Sequence, residues 1–523
     1  MDYVITAVIA LPDKQCVSDS LPTRLLKDSV DILAPFLVEL FNRSLSLGVV
    51  PTLFKAAYIT PLLKKPDMDP AEAKSYRPIS NLSVLSKLLE RLVAHQLPDY
   101  LNSSRLMPDL QSAYRANHST ETAILKVLGD ILRAVDNGDL ALMTLLDLSA
   151  AFDTVDHDTL LRRLHMSFGL GGCVHSWFTS YLNRRTQCVR RGSLRSTIAI
   201  MMSGVPQGSV LGPILFLLYT ADLLRLIENH GLHPHLYADD TQIYGFCRPG
   251  STDQLQSRVS SCIGDIASWM QSNRLQLNAV KTEVMWCSSA RRQHQLPTNS
   301  LSVCSDTVTP VQSARDLGIY IDSDLSMRTH ILKTVSGCFA VLRQLRSIRR
   351  SVSPQVMTSL VVSLVFSRLD YGCATLVGLP HHLMDRLQSV MNAAARLVHC
   401  SSKFDHITPI LRELHWLRDP ERITFRLAVL AYCCQHGIGP SYLAADLHRV
   451  ADVESRQRLR SASSAALVVP RTSNPTIGDR SFQVAAARAW NSLPPLVTSS
   501  SSLPVFRRLL KTELFKRSYG SSS

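Results

Sequence analysis

None of the twelve cysteines forms a Cys-x-x-Cys pair; Cys433 and Cys434 are simply adjacent. Zinc knuckles need ligand pairs at short fixed spacings, so none is expected, and the thiols read as the reduced cysteines of an intracellular protein. No uncharged apolar run approaches the roughly 18 residues that a membrane span requires. Met1 to Leu11 carries no basic segment ahead of an apolar stretch, so a signal peptide is not expected. An internal repeat is also missing, which sets aside a repeat array. Acidic residues are in deficit: 42 Asp and Glu face 56 Lys and Arg, a formal charge of +14. That imbalance points to an anionic partner, with nucleic acid the leading candidate.

What is present is enough for a sizeable core. The chain has 523 residues, 46% of them apolar, a globular composition with room for about two to four domains. Charge is unevenly spread. Arg328 to Leu369 holds seven Lys or Arg and no acid, and Arg449 to Ser523 holds twelve basic and four acidic residues.

Leu33, Leu37, Leu40 and Phe41 recur at helical spacing, Gly48 punctuates, and Ala56 to Leu63 reads as a short apolar strand. Helices are expected over Leu82 to Leu97 and Thr120 to Val135, with Asn137-Gly138-Asp139 as a break. Leu140 to Leu146 is nearly uninterrupted apolar sequence, as in a strand buried on both faces, and it ends at Asp147. An amphipathic helix carrying Leu160, Leu161 and Leu164 follows. Ser203 to Ile227 is a Gly/Pro-rich loop feeding an apolar helix, and His235 to Tyr244 reads as a hairpin with Asp239 and Asp240 at or near its turn. Residues 253–278 read as helical and 291–299 as a polar loop. From about residue 325 onward the pattern is mostly helical. The Ser-rich pieces at 461–464 and 498–502 read as connections, and Ser521 to Ser523 as a disordered end.

Two carboxylate positions carry chemistry. Asp147 stands in Leu145-Leu146-Asp147-Leu148-Ser149-Ala150-Ala151-Phe152-Asp153, and the pair Asp239-Asp240 stands in Tyr237-Ala238-Asp239-Asp240. Each ends an apolar strand, where an ionised carboxylate is costly unless a cation offsets it. If strands from these distant segments meet in one sheet, hard divalent cations would relieve the repulsion between their acids. Two such ions stabilise the attacking and leaving oxygens of an in-line phosphoryl displacement, which is polymerase chemistry. The bland alternatives are an Asp-Asp turn and an Asp147 that caps the following helix. Asp153, Asp156 and Asp158 read as capping or solvated acids of that helix.

Taken in order, Asp147 to Phe152, Gly204-Val205-Pro206-Gln207-Gly208-Ser209, Tyr237 to Asp240, and Leu277-Asn278 through Lys281-Thr282-Glu283 resemble the consecutive palm motifs of non-LTR (LINE-type) retrotransposon reverse transcriptases. Upstream, Lys64-Lys65-Pro66 with Tyr76-Arg77-Pro78-Ile79-Ser80 resembles that family's fingers signature, Ser112-Ala113-Tyr114-Arg115 its next block, and Asn42-Arg43-Ser44-Leu45 through Gly48 its N-terminal extension. The likeness is close over roughly residues 20–325 and weaker beyond.

The resemblance implies an α+β right-hand polymerase: fingers, a palm with an antiparallel sheet and a helical thumb, followed by a mostly helical basic C-terminal region. The corresponding segments are an N-terminal extension (1–60), fingers and palm (61–310), the end of the palm with the thumb (311–400), and the C-terminal region (401–523). It implies an RNA-directed DNA polymerase using two Mg2+ ions, dNTPs, an RNA template and a DNA primer or target, with no membrane and an undetermined oligomeric state. Asp147, Asp239 and Asp240 would hold the metals, with the Leu148 carbonyl completing one shell. Phe152 would be the steric gate that fills the space of a ribose 2′-hydroxyl; the alternative is a packed aromatic at a helix start. Gln207 and Gly208 would lie beside the incoming nucleotide, or else form a purely structural loop. Lys65 and Arg77 would bind triphosphate, with Lys64 an equal candidate for the lysine's role. Lys281 would protonate the pyrophosphate leaving group, unless it is only a solvating lysine.

Arg343, Arg346, Arg349 and Arg350 fall at three- and four-residue spacings, as a helix face tracking a nucleic-acid backbone or as a merely solvated face. Nucleus and cytoplasm are the expected locations. About twenty residues precede the matched region, so the endonuclease domain of many such elements has no room there. No ribonuclease H signature is seen. A truncated copy, or part of a longer element, is expected, and target cleavage is not assigned. Two rivals stand beside this reading. An RNA-templated RNA polymerase should have a polar residue in place of Phe152. A catalytically silent nucleic-acid binder would retain binding without extension.

Overall fold

The structure is a computed structural model describing residues 1–13, 21–149, 151–303, 306–452 and 465–520. The serines at 461–464 and the terminal Ser521 to Ser523 lie outside the described residues. The chain forms two compact units, each assembled from separated segments: 1–114, 147–226 and 264–278 in the first, and 115–146, 227–263 and 279–523 in the second. In chain order the principal strands are β1 (Ala56–Leu63), β2 (Tyr76–Asn81), β3 (Leu140–Leu146), β4 (Leu148–Ser149), β5 (Thr186–Arg191), β6 (Leu194–Arg195), β7 (Ala199–Ile200), β8 (His233–Tyr237), β9 (Asp240–Cys247), β10 (Gln276–Leu277) and β11 (Glu283–Cys287).

In the first unit, β1 pairs antiparallel with β2 and parallel with β5, and β5 also carries β6 and β7. A two-residue ladder joins β4 to β10. The helix Val84–Ser103 begins at Ser83, whose hydroxyl accepts the Ser86 amide, the usual remedy for an unpaired first-turn N–H. The helix Leu211–Thr220 is apolar throughout, with nine of its ten residues buried; a helix hydrophobic on all sides belongs inside a core. Trp177, Phe178, Tyr181, Phe216 and Tyr219 supply the buried aromatics of this unit.

In the second unit, one antiparallel sheet runs in the order β11-β3-β9-β8. Six of the seven residues of β3 are buried, as the apolar run predicts. The helix Thr120–Asp136, opened by a capping box between Ser119 and Thr122, packs on this sheet. Asp130 accepts the Tyr244 hydroxyl at 2.6 Å. From Arg328 onward the described residues of this unit are mostly helical, with long helices at Arg328–Ile348, His381–His399, Asp419–Gln435 and Leu503–Tyr519. They are tied back to the sheet helix: the buried Glu121 carboxylate accepts the Ala374 amide at 3.0 Å and pairs with Arg426.

Some boundaries differ from the sequence expectation. The helix starting at Thr252 stops at Ser272 rather than 278, because Arg274 takes φ +55 and the chain turns into β10. Within the 291–299 stretch expected as loop, residues up to Gln295 belong to the 3-10 turn Ala290–Gln295. The segment between Thr498 and Leu503 is a short link between two helices. Ten described cysteines are free thiols. No helix among the described residues is long and apolar enough to cross a membrane.

Candidate active site

In the second unit, β8 and β9 meet in a two-residue turn closed by the pair Tyr237–Asp240, which leaves Ala238 and Asp239 at the tip. Ala238 adopts φ +58. A side chain in that region costs about 1–2 kcal/mol, which is why glycine is the usual occupant. The hairpin accepts this strain while holding Asp239 half-buried and Asp240 exposed. On the other side of β9, β3 runs antiparallel in a register that sets Leu145 against Gln242 and Leu146 against Thr241. Leu146 is the last residue of β3, and Asp147 follows it in the chain.

In the first unit, Asp147 is half-buried and its carbonyl accepts the Asn278 amide at 2.9 Å. Leu148 is buried and paired with Leu277. Phe152 is half-buried, one ring face stacked on the fully buried Phe216 at a centroid distance of 4.6 Å. The bland expectation of a packed aromatic is therefore met on one side, and part of the ring remains accessible.

The Phe152 carbonyl accepts the Val205 amide at 2.8 Å, which ties this segment to the glycine loop. Gly204 has φ +84, and a Cβ there would sit 2.7 Å from the Asp153 carbonyl oxygen. At Gly208 (φ +108) a Cβ would meet the Ser80 oxygen at 2.9 Å, while the Ser80 amide donates to the Gln207 carbonyl at 2.7 Å. Both glycines are thus required by close backbone approach as well as by φ. Loop, β2 and the segment after Asp147 form one cluster.

That cluster corrects one expectation. Asp156 is the cap of its helix, accepting the Thr159 amide at 2.9 Å, and Asp153 is not the cap residue. Both Asp153 carboxylate oxygens accept from the Gln207 amide nitrogen at 3.0 Å. Burial raises the Asp153 carboxyl above its ordinary value, partly offset by Gln207 and by the Lys64 ammonium. The Gln207 nitrogen is thereby oriented by a carboxylate 54 positions away in sequence, a partner invisible to local pattern. Lys64 bonds the Lys74 carbonyl at 2.9 Å and acts on Asp153, so of the two candidate lysines it is the one that bears on this cluster. Lys65 is exposed, as is Arg77, which stands on β2 opposite Leu62 of β1. Lys281 is exposed in the turn Ala279–Lys281 that precedes β11. Arg343 and Arg346 are exposed on the helix Arg328–Ile348, but Arg349 and Arg350 lie beyond its end in a 3-10 turn, and Arg349 is half-buried.

Asp316 also escaped sequence reasoning. It is buried in the strand Ser313–Asp316, where its Oδ1 accepts from Gln242 Nε2 at 2.6 Å. Burial, with the nearby Asp240 and Glu283 carboxylates adding to it, pushes the Asp316 carboxyl up to about 7. A folded-state value above the unfolded one favours folding at low pH, where the group is protonated in both states. That contribution is lost as pH rises from the ordinary carboxyl range through about 7. Asp316→Asn, neutral throughout, should match the parent near pH 4 and exceed it in stability above pH 7 by at most about 4 kcal/mol. Urea unfolding at the two pH values in the presence of a chelator measures this. A gap independent of pH would show that charge is not the cause.

Within each unit, among the described residues, no group of three or more His, Cys, Asp or Glu side chains gathers as a metal-binding cluster.

The reverse transcriptase (RNA-dependent DNA polymerase) family matches residues 63–319. The probable RNA-directed DNA polymerase from transposon BS of Drosophila melanogaster is 30% identical over 364 residues, 66% of this chain and 38% of that protein. The RNA-directed DNA polymerase from mobile element jockey of the same organism is 28% identical over 337 residues, 63% of this chain and 36% of that protein. For the probable RNA-directed DNA polymerase from its transposon X-element the figures are 28% over 386 residues, 72% and 41%. Each match spans well under half of the relative's length. The solved structure of apo telomerase from Candida Tropicalis is a distant likeness, with a TM-score of 0.41 and 11% identity over 75% of this chain and 67% of that one.

Proposed function

Because residues 63–319 are a reverse transcriptase domain of the kind carried by non-LTR retrotransposons, we propose that this chain polymerises DNA on an RNA template, adding dNTPs to a primer 3′-hydroxyl. The reading stands on the order of the motifs along the chain and on the β8–β9 hairpin, whose two-residue turn carries Asp239 at its tip with Asp240 next to it.

The donor set fits a hard divalent cation: Asp147, Asp239 and Asp240 offer only carboxylate oxygens, and the Leu148 carbonyl adds a neutral one. Two Mg2+ ions held there would supply charge stabilisation for the entering and leaving oxygens. In the reaction the primer 3′-hydroxyl gives up its proton to water as its oxygen bonds to the α-phosphorus, and the bond from that phosphorus to the oxygen bridging to the β-phosphorus breaks. Pyrophosphate leaves and takes up a proton, for which Lys281 is the candidate donor. Gln207, its amide nitrogen fixed by Asp153, holds the nucleotide in line. Lys64 or Lys65 and Arg77 take the triphosphate. Phe152 supports selection of the sugar, since its accessible ring edge would meet a 2′-hydroxyl.

Basic surface supports the nucleic-acid partners. Residues 159–221 contain seven arginines and no acid, and Arg191 and Arg195 stand exposed on β5 and β6. In the second unit, Arg343, Arg346 and Arg350 offer a comparable exposed set. Contacts of this kind give affinity without sequence readout. The same reading puts the protein's work in the nucleus and cytoplasm.

Extension of a DNA primer on an RNA template with dNTPs and Mg2+ tests the proposal, and RNA binding without any extension product would overturn it. Phe152→Ala should reduce discrimination against ribonucleotides by about 10- to 100-fold. Single-nucleotide incorporation of paired ribo- and deoxynucleotides reads this directly; an unchanged ratio removes Phe152 from sugar selection.

A further inference from the structure

A side chain outside the residues discussed so far holds the far end of the glycine loop. Glu90, on the helix Val84–Ser103, is 1% exposed. Its Oε2 accepts two backbone amides, Val210 at 2.6 Å and Leu211 at 3.1 Å. Val210 is the cap residue of the helix Leu211–Thr220, and no side chain of its own caps that helix. First-turn amides of a helix have no partner within it, and here a carboxylate 120 positions away in sequence supplies one. Burial raises the Glu90 carboxyl above its ordinary value, and the Leu211 and Val210 amides and the buried Arg185 guanidinium oppose that rise; Arg185 is itself held by the Tyr181 carbonyl at 3.0 Å. Between Gln207 and this clamp stand Gly208 and Ser209. Ser209 stiffens the link, its hydroxyl donating to the Pro206 carbonyl at 2.8 Å and accepting the Gly212 amide at 3.0 Å.

The loop is therefore pinned at both ends. Gly204 is fastened to Val155 by its amide (2.7 Å) and to His157 by its carbonyl (2.8 Å); Val210 and Leu211 are fastened to Glu90. Gln207 lies between the two anchors.

We propose that Glu90 is a positioning residue for nucleotide binding: by clamping the Val210 and Leu211 amides it fixes where Gln207 stands. The inference rests on the polymerase reading of the loop, and a carboxylate suits the task. Charge-assisted bonds to two amides are stronger than neutral ones, and the helix N-terminus favours the negative charge. A buried carboxylate would otherwise be costly, so its presence in an apolar core calls for a return of this kind.

The test uses the full chain with Glu90→Ala and Glu90→Gln, the latter keeping an oxygen for both amides. Glu90→Ala should raise the KM for dNTP by at least about tenfold with a smaller change in kcat. Glu90→Gln should restore KM to within about threefold of the parent. A merely structural role would instead lower the active fraction and the Tm, leaving the KM of surviving enzyme unchanged, and that result overturns the inference. Amide hydrogen exchange gives a readout independent of activity. In Glu90→Ala, residues 204–211 should lose protection ahead of the helix Val84–Ser103, whereas uniform loss across the first unit counts against a local clamp. If the alanine variant does not fold, the comparison is made on Glu90→Asp, which keeps the charge but shortens the reach and should raise KM in the same sense. A parent chain that fails to extend primers refutes the polymerase reading. The exchange result then still decides whether Glu90 holds the loop.

Discussion

Asp239→Ala should cut primer extension by at least about a thousandfold while leaving template binding and the fold close to the parent. The size follows from the role proposed: removing one group that stabilises transition-state charge in a preorganised site typically costs two to three orders of magnitude, and a shared metal ligand more. The fold should tolerate the change because Asp239 occupies the hairpin tip, outside the β8–β9 ladder that closes at Tyr237–Asp240. Asp239→Asn serves as the matched variant, retaining shape and polarity while removing charge, and should be nearly as damaged. Single-turnover extension over a range of Mg2+ concentrations, with circular dichroism and RNA binding alongside, makes the measurement. Extension within threefold of the parent would end the metal-ligand assignment for Asp239.

Gly204→Ala should be the most damaging single methyl addition in the glycine loop. The new Cβ would lie 2.7 Å from the Asp153 carbonyl oxygen and 2.9 Å from its carbonyl carbon and Cα, all backbone atoms that cannot rotate away. It would also have to occupy φ +84. Overpacking and left-handed strain together suggest a cost of about 3 kcal/mol. Relief requires the segments carrying Asp153 and Gln207 to separate, which breaks the two 3.0 Å bonds between them. Displacing a positioned group by about 1 Å can cost a hundredfold in rate, so extension should fall by about that factor in protein that still folds. Thermal unfolding and steady-state extension are the two readouts, and parent-like values in both would show that the backbone approach at Gly204 is not rigid.

Much of the scaffold was legible in local sequence. Ala56–Leu63 and Leu140–Leu146 form strands with the expected bounds, the hairpin carries Asp239 in its turn and Asp240 beside it, and helices cover the periodic segments. These successes share a cause: an apolar run or a 3.6-residue period records how one element meets a core, and that information lies within the element. Arg274 and the turn at Arg349 show the limit, since the end of an element depends on what the chain must do next.

The site divides along the same line. Acids at strand ends, glycines flanking Gln207 and an aromatic five residues after Asp147 are properties of short segments. Asp153 with Gln207, Glu90 with Val210, and Asp316 with Gln242 are pairings between residues 54, 120 and 74 positions apart. Nothing local distinguishes Asp153 from a helix cap, or Glu90 from a solvated acid on an amphipathic helix. Composition and motif order pointed to the chemistry proposed for this protein, because charge, hydropathy and turn geometry are written residue by residue. Which carboxylates are buried, and which backbone amides or side chains they hold, was decided only by tertiary packing. A buried charge acquires its partner from whatever element the fold brings against it.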